Sequence, residues 1–324
     1  MILTVTLNTA IDKTLAVPNF RLGRRHRTVE QTTMPGGKGV NVARVLKTLG
    51  APVIATGLAG GATGTRLVEQ LTDFAVLSDF VRIREESRTN TAVIDPTTGE
   101  QTEINERGPS VSAQEIDLFV DKLLYLAKGA SMCVFAGSLP RNVDVDVYAG
   151  LIRELKRLGV VTIVDTDGDP LRRAVRAEPD VISPNVLEAE ELVGHEFNEE
   201  EDHVIAVREM AELGARNAIM TAPDGCFAQM RPTEPGTPPA LYRVRMRGGT
   251  VEPRSTVGSG DAFLAGFVAA RYNGLGTEEC LVHGVACGAQ STLHLGAGLI
   301  DPAQVQRLSA EIEVEHPALP AEVP

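Results

Sequence analysis

Residues Met132 to Ser183 read MCVFAGSLPRNVDVDVYAGLIRELKRLGVVTIVDTDGDPLRRAVRAEPDVIS. Short β-branched and apolar runs at Met132 to Ala136, Val160 to Asp165 and Val181 to Ser183 are strand-like. Between them, Val145 to Leu158 and Pro170 to Val175 carry helical spacing. This regular alternation is the βαβ pattern, which packs as a parallel sheet with helices on both faces. Gly137-Ser138-Leu139-Pro140 and Asp165-Thr166-Asp167 each follow a strand, so both loops fall on the rim where open α/β sheets bind ligands.

Working outward toward the N-terminus, Ile2 to Leu7 is another strand, and Asp12 arrives just past its carboxyl end. Asp12 fits either a polyol ligand or an ordinary turn residue. In Gly36-Gly37-Lys38-Gly39-Val40-Asn41-Val42-Ala43, Val42, Val45, Leu46 and Leu49 mark a helix that ends at Gly50. Lys38 and Asn41 sit three apart at its glycine-rich start, placed to hold a sugar hydroxyl or a phosphate. No Gly-Lys-Ser/Thr occurs, which excludes a P-loop. Val53 to Leu58 and the helix Thr65 to Phe74 flank Gly57, Gly60, Gly61 and Gly64, whose spacing does not match a dinucleotide fingerprint. The β-prone pieces Thr14 to Val17 and Thr28 to Thr33, with a hairpin signature around Pro96-Thr97-Thr98-Gly99, predict a small second sheet projecting as a lid. Its apolar face is a candidate dimer contact. Arg88, at its border, fits a residue that closes on an anionic substrate or a solvated surface arginine.

Toward the C-terminus, Asn185 and Glu188 fit a helix capping box or a pair that positions Mg²⁺ through water. Asn217 to Thr221 and Leu241 to Met246 are strands, separated by a Pro/Thr/Gly-rich loop from Arg231 to Pro239. Next comes Arg254-Ser-Thr-Val-Gly258-Ser259-Gly260-Asp261, which runs into a small-residue apolar helix. The backbone N–H groups of Gly258, Ser259 and Gly260 gather at its positive end as an anion hole, with Asp261 beside them as proton acceptor. That pairing points to phosphoryl transfer onto a hydroxyl. Taken alone, the stretch also fits an ordinary glycine-rich helix start. The dipole is expected to keep Asp261 ionised with a low pKa. Helices Thr277 to Leu295 and Ala303 to Ala310 follow, then an acidic, Pro-containing tail over 311–324.

Composition narrows the function classes. The chain has 324 residues, with 31 basic and 43 acidic side chains giving a net charge of −12 and a pI near 5.1. That balance argues against nucleic acid and anionic membrane as partners. A phosphorylated substrate must therefore rely on local cations such as Lys38, Arg88, Arg107 and the Arg24, Arg25, Arg27 group. Cys133, Cys226, Cys280 and Cys287 lie in apolar contexts with no C-x-x-C pair, as expected of buried thiols in a reducing compartment. The histidines lack metal-ligand spacing. No signal peptide or long apolar run is present, so a cytoplasmic protein is expected.

Three separated motifs, Gly36 to Ala43, Asn185-x-x-Glu188 and Ser255 to Phe263, resemble in order and spacing the signatures of the ribokinase-like (PfkB) carbohydrate kinases. The resemblance extends over Met1 to Leu308. Thr6 to Asp12, Thr102-Glu103-Ile104-Asn105 and Gly137 to Pro140 are similar to the branch of bacterial 1-phosphofructokinases and tagatose-6-phosphate kinases. It implies one kinase domain over 1–310, with a lid from about 11–34 and 88–107. It also implies transfer from ATP, with Mg²⁺, to a sugar that already bears a phosphate. Fructose 1-phosphate is the leading expectation, with tagatose 6-phosphate or fructose 6-phosphate as alternatives. By resemblance, Asp12, Gly37, Asn41 and Ser138 bind the sugar, Lys38 and Arg88 its phosphate, and Asp261 is the base. Asn185 and Glu188 serve the Mg²⁺-ATP side. The family's Ser/Thr-x-Gly-x-x-Gly nucleotide loop is replaced by Met220-Thr221-Ala222-Pro223-Asp224-Gly225, which keeps Thr221 and Gly225 but lacks the first hydroxyl and first glycine. A catalytically degenerate sugar-phosphate sensor is the alternative of another class. Thr9 stands where the family usually has proline.

Overall fold

The computed structural model describes residues 1–232, 236–248 and 253–318. The first part of the chain runs β1 (Ile2–Thr6), β2 (Ala10–Ala16), β3 (Glu30–Gly36), α1 (Lys38–Thr48), β4 (Val53–Gly60), α2 (Gly61–Asp73), β5 (Leu77–Ile83), β6 (Arg88–Ile94) and β7 (Gln101–Ile104). It continues through α3 (Ala113–Ala127), β8 (Met132–Ala136), α4 (Val147–Arg157), β9 (Val161–Asp165), α5 (Gly168–Val175), β10 (Val181–Ile182), α6 (Val186–Val193) and α7 (Glu200–Glu212). The last part comprises β11 (Ala218–Ala222), β12 (Gly225–Met230), β13 (Ala240–Met246), α8 (Ser259–Tyr272), α9 (Thr277–Ser291), α10 (Pro302–Ser309) and β14 (Ile312–Glu315).

Ten strands form one sheet in the order β14-β13-β12-β11-β10-β9-β8-β1-β4-β5. From β11 to β5 all neighbours are parallel, whereas β12, β13 and β14 add antiparallel at one edge. Period-2 alternation decides which face each side chain covers. In β8, Met132, Val134 and Ala136 join the apolar cluster under α1, α2, α8, α9 and α10, while Cys133 and Phe135 join the one under α3, α4, α5 and α7. Both β1 and β8 are buried along their whole length, as expected of parallel strands covered on two faces. The chain winds from β1 out to β5, then returns to β8 on the other side of β1. The crevice beyond the carboxyl ends of β1 and β8 is thus the topological switch point.

A second sheet of four strands has the order β3-β2-β6-β7, with β2 parallel to β6 and the outer pairs antiparallel. Asp12 lies inside β2 of this sheet, so it is a strand residue and not a loop carboxylate. The helix that carries Asp261, α8, is buried from Asp261 through Ala270. Small residues let it pack against α9: a Cβ on Gly266 would sit 2.7 Å from Cys287 Sγ, and one on Gly284 would sit 3.0 Å from the Phe263 ring.

Several boundaries differ from the sequence reading. Residues 312–315, assigned there to the acidic tail, form β14, in which Ile312 is buried and pairs with Met246. The alternation of Ile312 and Val314 with Glu313 and Glu315 carries a strand signal, and Arg245 ion-pairs with both glutamates. Helix α2 begins at Gly61, because Gly60 and Gly61 serve as its entry, and β5 has no counterpart in the sequence reading. Within the Arg231 to Pro239 loop, residues 233–235 lie outside the described residues, as do 319–324 of the tail.

Candidate active site

Two glycine-led helix starts face each other across the switch point. Gly37 caps α1 with φ 99° and Gly258 caps α8 with φ 75°, and neither helix has a side-chain N-cap bond. Glycine is needed at both for space as well as for φ. A Cβ at Gly37 would meet Thr6 Cγ2 at 2.7 Å, and one at Gly258 would meet the Ala297 Cβ at 2.6 Å. The positive ends of both helices therefore open toward a ligand. Of the three N–H groups predicted to form the anion hole, that of Ser259 already donates to the Thr256 carbonyl at 3.2 Å.

Between these starts lies a charge cluster. Lys38 Nζ donates to Asp165 Oδ1 at 2.8 Å and to Glu188 Oε1 at 3.0 Å. Lys38, expected to hold a sugar phosphate, thus stands bridged between two carboxylates. Burial alone would depress its pKa, but the charges of Asp165, Glu188 and Asp261 outweigh burial and raise it. Asp261 Oδ2 accepts from Asn41 Nδ2 at 2.8 Å in buried surroundings. The low pKa expected from the helix dipole is corrected here. Desolvation, followed by the charge of Asp165, pushes Asp261 up to about 7, against the opposing effects of Lys38 and Asn41. A first-turn dipole offers a few tenths to 1 kcal/mol at an exposed site, too little to offset full burial beside a second carboxylate.

Asn185 and Glu188 adopt the capping-box reading at the start of α6. The Asn185 N–H donates to Glu188 Oε2 and the Glu188 N–H to Asn185 Oδ1, both at 2.9 Å. The remaining oxygen of Glu188 reaches Lys38, so the cap also positions a carboxylate. Burial raises the pKa of Glu188, and Lys38 counters it.

On the side of the second sheet, Asp12 Oδ1 accepts from Asn90 Nδ2 at 2.9 Å, and burial raises its pKa despite that bond and the charge of Arg88. Gly36 makes this possible, since a Cβ there would lie 2.2 Å from the Asp12 carboxyl carbon. Arg88 spends its guanidinium on the Asn8 carbonyl at 3.2 and 3.3 Å and on the Glu106 carbonyl at 2.9 Å. Ser138 Oγ accepts from Asn8 Nδ2 at 3.3 Å, tying the loop after β8 to the loop after β1. The amide oxygens of Asn41 and Asn90 are buried without a hydrogen-bond partner among the described residues. Such orphan acceptors call for donors of the kind a polyol supplies.

These residues surround two cavities. The polar one, about 560 Å³, takes in Asp12, Gly37, Lys38, Asn41, Arg88, Ser138, Asn185, Glu188, Thr221 and Gly258 to Asp261. The apolar one, about 520 Å³, is walled by Phe263, Val285, Ala289 and the Thr221 to Gly225 loop, and it contains Gly225. Ser259, Gly260, Asn185, Thr221 and Thr256 border both. Asn90 had no role in the sequence reading. Its signal is the parallel β2/β6 register that sets Asp12 opposite Asn90, a pairing across a long chain separation that periodicity does not reveal. Asp165 was read as a rim carboxylate, but its pairing with Lys38 was not foreseen.

The model of the pfkB family carbohydrate kinases matches residues 4–304. A 1-phosphofructokinase of Borreliella burgdorferi is 32% identical over 316 residues, covering 97% of this chain and 98% of that protein. A tagatose-6-phosphate kinase of Staphylococcus epidermidis is 30% identical over 318 residues, covering 97% and 99%. The structure of Escherichia coli phosphofructokinase-2 in complex with substrates and products superposes with a TM-score of 0.86 at 29% identity, covering 95% of this chain and 98% of that one.

Proposed function

The chain belongs to the pfkB family of carbohydrate kinases and is a sugar-phosphate kinase, and from that premise we propose that it converts fructose 1-phosphate to fructose 1,6-bisphosphate with ATP as donor. The observation that carries this reading is Asp261. Burial pushes the pKa of its carboxyl, at the first turn of α8, up to about 7, and it lines the polar cavity directly after Ser259 and Gly260, which border both cavities. A base is most effective when its pKa lies near the working pH.

In this mechanism the sugar lies in the polar cavity against Asp12, Asn41, Asn90 and Ser138, and the nucleoside of ATP in the apolar one. Asp261 accepts the proton of the acceptor hydroxyl as that oxygen bonds to the γ-phosphorus and the bridging bond to ADP breaks. Asn41 holds the carboxylate in line, and the start of α8 with Gly258 and Gly260 stabilises charge on the transferred group. Lys38, fixed by Asp165 and Glu188, supplies the positive charge nearest Asp261. Arg88 neutralises the phosphate already on the sugar.

Mg²⁺ fits this donor set. Asp165 and Glu188, both in the wall of the polar cavity, offer the hard oxygen ligands that Mg²⁺ takes. When bound, Mg²⁺ supplies charge neutralisation on the transferring phosphates. Asn185 would reach it through water.

The four-stranded sheet acts as a lid that carries Asp12, Arg88 and Asn90 onto the sugar. Val29, next to β3, and Ile104, at the end of β7, are exposed at 69% and 61%, which supports a homodimer formed through this sheet. Among the described residues no helix is long and apolar enough to cross a membrane, in keeping with a cytoplasmic enzyme.

Comparing kcat/KM on fructose 1-phosphate, tagatose 6-phosphate and fructose 6-phosphate tests the substrate. The highest value is expected on fructose 1-phosphate; turnover confined to unphosphorylated sugars would overturn the reading. The altered Met220 to Gly225 loop motivates a second reading, a sugar-phosphate sensor. Calorimetry that gives heat with the sugar phosphate and none with ATP would favour it.

A further inference from the structure

Among the described residues the apolar cavity has one ionisable side chain in its wall, Asp224. It sits at the tip of the β11/β12 hairpin, closed by the pair Ala222 and Gly225. The tip is held from two sides. The Met246 N–H donates to the Asp224 carbonyl at 3.1 Å, and Arg243 Nη2 donates to Asp224 Oδ2 at 2.5 Å. Arg243 itself is immobilised. Its side chain is only 6% exposed, its Nε donates to Glu200 Oε1 at 2.9 Å, and its guanidinium lies 4.2 Å over the Phe227 ring. On Phe227, in turn, the His203 ring stacks at 5.0 Å. Asp224 Oδ1, by contrast, has no partner among the described residues.

Asp224 is fixed in an otherwise apolar wall with its side chain 36% exposed, so Oδ1 stays open to a donor that enters the cavity. If the apolar cavity receives the nucleoside, the reading given above on which this inference rests, three parts of the nucleotide must be placed. The phosphates belong at the start of α8, which borders both cavities, and a carboxylate repels them. The base belongs against Phe263, Val285 and Ala289. The ribose lies between and brings two hydroxyl donors. We infer that Asp224 selects the nucleotide by accepting a hydrogen bond from a ribose hydroxyl through Oδ1, and that Arg243 is the positioning residue that aims it. This contact anchors the nucleotide in a loop that lacks the first hydroxyl and first glycine of its relatives' pattern.

The test uses ATP, 2′-deoxy-ATP and 3′-deoxy-ATP on the full-length enzyme. At least one deoxy analogue should raise KM about tenfold in the wild type, the scale of one hydrogen bond to a charged group, with kcat within about threefold. In Asp224→Ala the KM for ATP should rise about tenfold and the deoxy penalty vanish, with the sugar KM unchanged. Arg243→Met should lose the same discrimination, and Arg243→Lys recover part of it, which lost stability alone does not explain. Equal KM values for all three nucleotides in the wild type, or a deoxy penalty that survives Asp224→Ala, would overturn the inference. So would a change confined to the preference for ATP over GTP, since that places the contact on the base. The premise is tested separately. The chain contains no tryptophan, so Leu187→Trp places a lone reporter in the cavity wall. Emission that ATP leaves unchanged at saturating concentration refutes the cavity assignment, whereas a response without ribose discrimination refutes the role of Asp224 alone.

Discussion

Replacing Lys38 by methionine removes the cation that most strongly lowers the pKa of Asp261, and its effect is best read in a pH profile. In the wild type, kcat/KM should rise with pH through an inflection near 7, because the base must be ionised and its pKa is pushed up to about 7. An opposite charge at short range holds a carboxylate down by roughly one to three pH units. The lower end applies here. The Asn41 amide still donates to Asp261 Oδ2 in the variant, so part of the stabilisation of the charged form remains. The inflection should therefore move up by about one pH unit. At pH 7 the ionised fraction of the base then falls from about one half to about one tenth, a loss of roughly fivefold that alkaline pH restores. If Lys38 also touches the sugar phosphate, a further loss of about a hundredfold on that substrate will be independent of pH, the size of one charged hydrogen bond. The assay is initial rate at subsaturating sugar phosphate across the neutral range, for wild type and variant side by side. An inflection that stays in place or moves down would refute this electrostatic reasoning.

Arg88→Met should lower kcat/KM on the sugar phosphate by about a hundredfold and on the free sugar much less; equal losses on both would make Arg88 structural. Gly36→Ala places a methyl 2.2 Å from the Asp12 carboxyl carbon, so the sugar KM should rise roughly tenfold while ATP binding by calorimetry holds, and parallel losses would count against it. The folded-state pKa of Asp261 is raised above its unfolded value. Its protonated form therefore adds stability that is fully present below the unfolded pKa and is lost as pH rises through about 7. Asp261→Asn should accordingly raise Tm by a few degrees at alkaline pH, on the order of 1 kcal/mol, and by little in acid. A gain of the same size at every pH would argue against buried charge as its cause.

Much of the fold was legible because the signals were local. The strand-helix alternation from Met132 to Ser183 is carried by apolar periodicity. The glycine-led helix starts at Gly37 and Gly258 were readable for the same reason. What escaped depends on contacts distant in sequence. Strand β14 is specified by its edge partner β13 as much as by its own four residues, so it passed for tail. The bond from Asn90 to Asp12 requires the β2/β6 register. The Asp261 error has a third cause. The sequence shows a helix start and hence a dipole, but only packing shows that the carboxylate is fully desolvated with Asp165 behind it. Likewise the Asn185-x-x-Glu188 spacing was compatible with a cap and with a metal-side pair, and the structure shows the cap with one oxygen of Glu188 turned to Lys38.

The most direct test of the account is kcat of Asp261→Asn on the sugar phosphate, measured beside its affinity for both substrates. The substitution keeps shape and leaves an oxygen for Asn41 to bond, but it cannot accept the proton. The account predicts that kcat falls by at least about a thousandfold while both affinities stay within a few-fold, as for a group used in the transition state. A near-normal kcat would contradict it, and would move the search for the base to Asp165.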